Sequence, residues 1–169
     1  VNVEDSLTYA AVQIQLDNNN LAGAQTQLEG YLQRFATGTY ALDAHFRLAS
    51  IYLGRRDTAT ALPHYEYVAE RAPNRFAEMA VLQAARAYFF SLKNYPKAEQ
   101  YYQQLKTLTA SQETRLEAMR GLLRSQYQQQ KWTEAGANAK ELVALKGSST
   151  DDKALANMVL GRSAQGEAR

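Results

Sequence analysis

Small and large apolar positions recur along the chain with a fixed period. Ala24, Ala61, Ala98 and Ala135 stand 37 residues apart, and the residues three before them, Leu21, Thr58, Tyr95 and Trp132, keep the same interval. Four positions beyond each alanine come Leu28, Tyr65, Tyr102 and Ala139, and three beyond those lie Tyr31, Val68, Leu105 and Leu142. Offsets of 0, +4 and +7 lie on one face of an α-helix. Each period is therefore predicted to hold an amphipathic helix whose small residue lets a neighbouring backbone approach closely.

A second helix is predicted upstream of each of these. Tyr40-Ala41-x-x-Ala44-x-x-x-Leu48-Ala49-x-x-Tyr52 reappears as Phe76-Ala77-x-x-Ala80-x-x-x-Ala84-Ala85-x-x-Tyr88, offset by 36 residues rather than 37. The mismatch predicts a linker one residue shorter at Ala72-Pro73-Asn74-Arg75 and a turn one residue longer between Tyr88 and Ala98, around Asn94-Tyr95-Pro96. Loops absorb such changes at little cost. Asn20, Asp57 and Asn94 are N-cap candidates, whereas the last such helix begins at Lys131-Trp132-Thr133 without a polar cap. Thr37-Gly38-Thr39, Pro73, Ser111 to Thr114 and Gly147 to Thr150 mark the breaks between pairs. The repeats run 3–37, 38–73, 74–110 and 111–147. Residues 149–163 read as one further first helix, with Asp151 and Asp152 in its first turn and 164–169 as a polar tail. Ile14 and Gln15 compete for the large first-helix position of repeat one, as Gln126 and Tyr127 do in repeat four, and Leu123 stands where a small residue is expected.

This pattern resembles the tetratricopeptide repeat family. Repeat two carries Leu48, Ala49, Tyr52, Ala61, Tyr65, Val68, Ala69 and Pro73 at the family's spacing, and repeat three keeps Ala85, Tyr88, Ala98, Tyr102 and Leu105. The resemblance implies an all-α fold: a right-handed α-α superhelix, or solenoid, of about four helix–turn–helix repeats plus one terminal helix, a single array over residues 1–163. It also implies a non-enzymatic protein–protein interaction scaffold whose first helices line a concave groove for an extended or helical peptide segment. The Tyr-Ala-x-x-Ala openings at Tyr40 and Phe76 are similar to those of bacterial envelope adaptors of this family, the Tol-Pal accessory protein and the lipoprotein of the β-barrel assembly machinery. That likeness implies a periplasmic or cell-envelope location. The Lys and Asn clamp of family members that bind heat-shock protein tails is absent, since the corresponding positions hold Tyr9 and Gln13 or Thr8 and Val12, then Phe46 and Ser50.

Composition agrees with helices throughout. The chain of 169 residues has 28 Ala but only 7 Val and 2 Ile, an excess of helix formers over β-branched residues. No apolar run approaches the roughly 18 residues of a membrane-spanning helix, so no membrane insertion is expected of this segment. The chain lacks an initiator Met and stops where a fifth repeat would continue, so a fragment of a longer protein is expected.

Candidate chemistry is sparse. Without Cys, thiolate nucleophiles, disulfides and Cys-ligated metals are excluded. His45 and His64 are 19 residues apart, outside helical metal-ligand spacing, and are expected to be structural. Glu4/Asp5 and Asp151/Asp152 are expected to complement helix dipoles rather than form acid–base pairs, and Gly54 and Gly121 to be permissive sites. No catalytic residue, cofactor or metal is expected. A net charge of +2 and the absence of long basic runs argue against nucleic acid as a partner. Residues 1–73 hold 5 basic and 8 acidic side chains, residues 74–169 hold 14 and 9, and every Lys lies from Lys93 onward. The helical stripe beside the core gives the predicted peptide-binding residues: Phe46, Arg47 and Ser50 in repeat two, Arg86 and Phe89 in repeat three, Arg120, Arg124 and Tyr127 in repeat four. Arg and aromatic residues dominate binding hot spots, and the arginines predict an acidic partner. The alternative is self-assembly of a larger envelope complex through the terminal helix, with the oligomeric state left open.

Overall fold

The computed structural model describes residues 3–167. Among them the chain forms α1 (Val3–Asp17), α2 (Leu21–Arg34), α3 (Ala41–Gly54), α4 (Thr58–Ala69), α5 (Ala77–Arg86) with a π-helical continuation (Ala87–Ser91), α6 (Tyr95–Leu108), α7 (Gln112–Gln128), α8 (Trp132–Ala144) and α9 (Thr150–Glu167). Two compact units divide between Ala80 and Val81. In the first, α1 packs on α2, α2 on α3 and α3 on α4; in the second, α6 packs on α7, α7 on α8 and α8 on α9.

The second helices begin at Leu21, Thr58, Tyr95 and Trp132, where the period places them. Asn20 Oδ1 accepts from the Gly23 N–H at 3.0 Å, Asp57 Oδ1 from Thr60 at 3.1 Å and Asn94 Oδ1 from Lys97 at 3.2 Å, while Lys131 offers no side-chain cap. Each such cap contributes about 1 kcal/mol. Just before each cap position the backbone turns left-handed, at Asn19 (φ 55°), Arg56 (63°), Lys93 (51°) and Gln130 (58°). The cap residue's own N–H then closes back on the preceding helix: Asn20 to the Gln15 carbonyl at 2.8 Å, Asp57 to Tyr52 at 2.9 Å and Lys131 to Gln126 at 3.0 Å. That shared bond settles the register of repeats one and four. Gln15 and Gln126 take the place of Tyr52; Ile14 is 58% exposed and Tyr127 packs edge-on against Trp132.

Repeat three corrects the expectation of a longer loop. Its cap, Asn94, bonds six residues back to Tyr88 at 2.8 Å, and Leu92 bonds five back to Ala87 at 3.0 Å. The extra residue is wound into the end of the helix as a π turn, and the loop keeps its length. A turn closed by a left-handed residue and a cap bond has no slack, whereas a helix takes up one residue by shifting its carbonyl partners.

Ala24, Ala61, Ala98 and Ala135 are all buried, as are Leu28, Tyr31, Val68, Leu105 and Leu142 on the same faces. The first unit's core gathers Val12, Ala24, Leu28, Tyr31, Ala44, Leu48 and Ile51; the second gathers Leu116, Met119, Leu123, Ala135, Ala139, Leu142, Ala156 and Val159. Leu123 fills the small-residue place with its side chain fully covered. Gly121 is not merely permissive: the Tyr102 ring lies against its backbone, where a Cβ would collide with the ring. The terminal helix also runs longer than expected. α9 continues to Glu167, so the first four residues of the expected polar tail are helical, and the last two lie outside the described residues.

Candidate functional site

In each unit, side chains of the predicted groove gather around an open recess. In the first unit, α3 presents Phe46, Arg47 and Ser50. Phe46 stacks on Phe76 with centroids 4.4 Å apart and meets Tyr65 edge-on at 6.1 Å. Arg47 Nε lies 2.7 Å from Asp43 Oδ2, one turn back, and Asp43 also receives Arg75 at 3.3 Å and the Tyr9 hydroxyl. The Ser50 hydroxyl donates to the Phe46 carbonyl at 3.0 Å. With Leu16, Leu21, Ile51 and Arg55, these residues line a groove of about 380 Å³.

The second unit separates its three predicted arginines by role. Arg86 holds Glu117 through two parallel bonds of 2.6 Å, from Nε and Nη2. Arg120 holds Asp152 from Nε and, at 3.3 Å, from Nη2. Asp152 is buried, and its carboxylate and amide exchange bonds with Ser149 at 2.9 and 3.0 Å, a capping box at the start of α9. Those bonds, Arg120's first, hold the Asp152 carboxyl below its usual range, and the two carboxylates in turn raise Arg120 and Arg86. Arg124 differs: it is exposed and has no carboxylate partner among the described residues. It lines a recess of about 210 Å³ with Phe89, Tyr127, Leu155 and Met158. Beneath this face, burial pushes the Tyr102 hydroxyl up to about 12, with Glu117 adding to the effect.

The sequence reading did not see that first helices are tied to one another through polar pairs. Tyr9 to Asp43, Arg86 to Glu117 and Arg120 to Asp152 each join one first helix to the next, across separations of 34, 31 and 32 residues. A carboxylate slightly less than one period downstream of an Arg or Tyr was the available signal. Asp5 lies in the first turn of α1, as expected, but does more than complement the helix dipole. It is buried, accepts from the Tyr31 hydroxyl at 2.5 Å and the Thr39 N–H at 2.9 Å, and so anchors α1 to the loop between α2 and α3.

His45 and His64 meet with their Nδ1 atoms 2.8 Å apart, one imidazole donating to the other. His45 also stacks on Tyr67 at 3.7 Å, and the Arg71 guanidinium lies 3.4 Å from the same ring's centroid. Burial pushes His45 down to about 4, reinforced by the charges of His64 and Arg71, and burial lowers His64 as well. Among the described residues no three His, Cys, Asp or Glu side chains gather as a metal site, and no helix is long and apolar enough to cross a membrane.

No protein-family model matches the chain, and no curated protein does. Solved structures do. A tetratricopeptide repeat protein from Parabacteroides merdae superposes with a TM-score of 0.67 at 15% identity over 97% of this chain, which spans 61% of that protein's length. A putative kinesin light chain from Podosopora anserina with nearly identical TPR-like repeats gives a TM-score of 0.56 at 18% identity, covering 96% of this chain and 86% of that one. The chain thus has the all-α fold of tetratricopeptide repeat solenoids, built from consecutive helix pairs.

Proposed function

We propose that the protein is a non-enzymatic interaction scaffold whose first-helix faces bind an extended or helical segment of an acidic partner protein. The carrying observation is Arg124, an exposed guanidinium without a carboxylate of its own beside the aromatic and apolar recess of Phe89, Tyr127, Leu155 and Met158. Arg86 and Arg120 support this face from below by fixing α7 and α9, with their charge already matched by Glu117 and Asp152. The basic excess of residues 74–169 favours the same partner charge.

Selection of a random peptide library against the protein tests the reading. Acidic sequences are expected, and Arg124→Glu should weaken them by about tenfold or more. Binding unchanged by Arg124→Glu and Tyr127→Ala would sink the proposal.

A second reading, self-assembly, is favoured by apolar side chains left on the surface: Met158 on α9 is 51% exposed, and Val3, Leu7 and Ile14 on α1 are exposed along one stripe. Light scattering over a concentration series, repeated with Met158→Lys and Leu7→Lys, separates the two, since a monomer at all concentrations rules out assembly. The Tyr40 and Phe76 openings support a bacterial envelope location as part of the proposal, and fractionation of the native cells tests it.

A further inference from the structure

The groove of the first unit has a counterpart three periods further along the chain. Adding 111 to Leu16, Leu21, Ile51, Gly54 and Arg55 gives Tyr127, Trp132, Arg162, Gln165 and Gly166. Those five residues, with Gln128 and Gln130, line a cavity of about 530 Å³ in the second unit. Both recesses therefore occupy the same place in the repeat, at the end of one first helix, the start of its second helix and the flank of the next first helix.

Their chemistry is opposite. The second-unit site is lined by tyrosine, tryptophan, glutamine and arginine, so the fold does not require apolar side chains at this place. The first-unit groove nevertheless puts Leu16, Leu21, Phe46 and Ile51 there, and Leu21 is 48% exposed at the first position of α2. Its polar groups are already engaged: Arg47 by Asp43, and the Ser50 hydroxyl by the Phe46 carbonyl. What remains is a mostly apolar recess of about 380 Å³, near the lower end of the roughly 300–1,000 Å³ of small-molecule pockets. Arg55 stands at the rim. It is exposed, held by the Gln25 side chain, and faces no carboxylate among the described residues.

We propose that this first-unit groove seats one bulky aliphatic or aromatic side chain of a partner protein segment, with a neighbouring carboxylate of that segment bound by Arg55. The inference rests on the scaffold reading and gives it a specificity element: an apolar anchor adjacent to Asp or Glu. The second-unit counterpart, with Arg162 in place of Ile51 and Gln165 in place of Gly54, offers a more polar lining.

Peptides selected from a random library on the whole protein are measured by fluorescence polarisation against wild type, Leu21→Gln, Arg55→Glu, Arg124→Glu and the double variants that combine Arg124→Glu with either of the others. Leu21 and Arg55 are surface residues, and circular dichroism checks that both variants keep their helices. Selected peptides should carry a bulky apolar residue next to an acidic one, and their affinity should fall about tenfold with Leu21→Gln and with Arg55→Glu. Arg124→Glu acts on the other recess, so its own loss should leave the losses from Leu21→Gln and Arg55→Glu unchanged when it is combined with either. Peptides that ignore Leu21→Gln and Arg55→Glu but follow Arg124→Glu would overturn this inference and leave the scaffold reading standing. A library yielding no binder overturns both.

Discussion

The two histidines and the three arginines of the first-helix face illustrate how little residue type alone decides. His45 and His64 share one hydrogen bond in a half-buried pair, facing Tyr67 on α4, Arg71 in the turn after it, Tyr52 on α3 and the charge of Glu29 on α2. Because the folded pKa of His45 lies near 4 and the unfolded value near 6.5, the unfolded chain binds the proton that the folded one refuses. Stability is therefore unaffected by this group above pH 7 and falls as the pH drops through the interval between the two values. After discounting for partial exposure, about 1 kcal/mol should be lost between pH 7 and 5, and a His45→Phe variant should lose less in urea titrations at the two pH values. An equal loss would remove the pair from the account. The arginines differ in the same local way. Arg120→Ala strands the buried Asp152 and should cost about 1–3 kcal/mol, while Arg124→Ala, at an exposed and unpaired site, should stay within about 0.5 kcal/mol. Sequence places all three on one stripe by helical geometry alone. Which of them is neutralised depended on a carboxylate one repeat away, and periodic apolar positions carry no information about that.

At the level of elements, the second helices were legible because each start combines a period with a small residue that must be buried, and the first three add a polar cap. The first helices of repeats one and four were harder, since Gln15 and Gln126 replace an aromatic side chain and only the backbone bond from the cap reveals the equivalence. The offset of 36 against 37 residues announced one extra residue but not its location, because apolar spacing does not distinguish a loop insertion from a π turn. The π turn makes that location testable. Deleting Phe90, which is 62% exposed, should return Ala87–Ser91 to α-helical bonding and leave Tyr88 and Asn94 five residues apart, as in the other repeats. The shortened protein should fold with a melting temperature near or above that of the wild type. A collapse of helical content would show instead that the π turn is needed for packing. Pro63 offers a second test inside α4, where it removes a backbone donor from an otherwise continuous helix. Pro63→Ala, at an exposed position, should stabilise by about 1–3 kcal/mol in thermal melts.

For the molecule as a whole, the two cores have different members, and each is assembled from helices adjacent in sequence. Stability built from neighbouring helix pairs predicts that damage stays local rather than spreading along the chain. Val159 is a sensitive probe: it is fully buried where α9 packs on α8 and α7, in a cluster with Met119, Leu123, Ala139 and Leu142. Val159→Ala should cost about 2 kcal/mol by transfer and cavity terms together. Hydrogen exchange should then quicken by roughly thirtyfold in α9 and the facing part of α8, the ratio that this energy implies. Amides around Val12, Leu28 and Leu48, in the other core, should exchange at wild-type rates. Uniform acceleration across both cores would mean that the chain opens as one cooperative body, and the nearest-neighbour account of its stability would then fail.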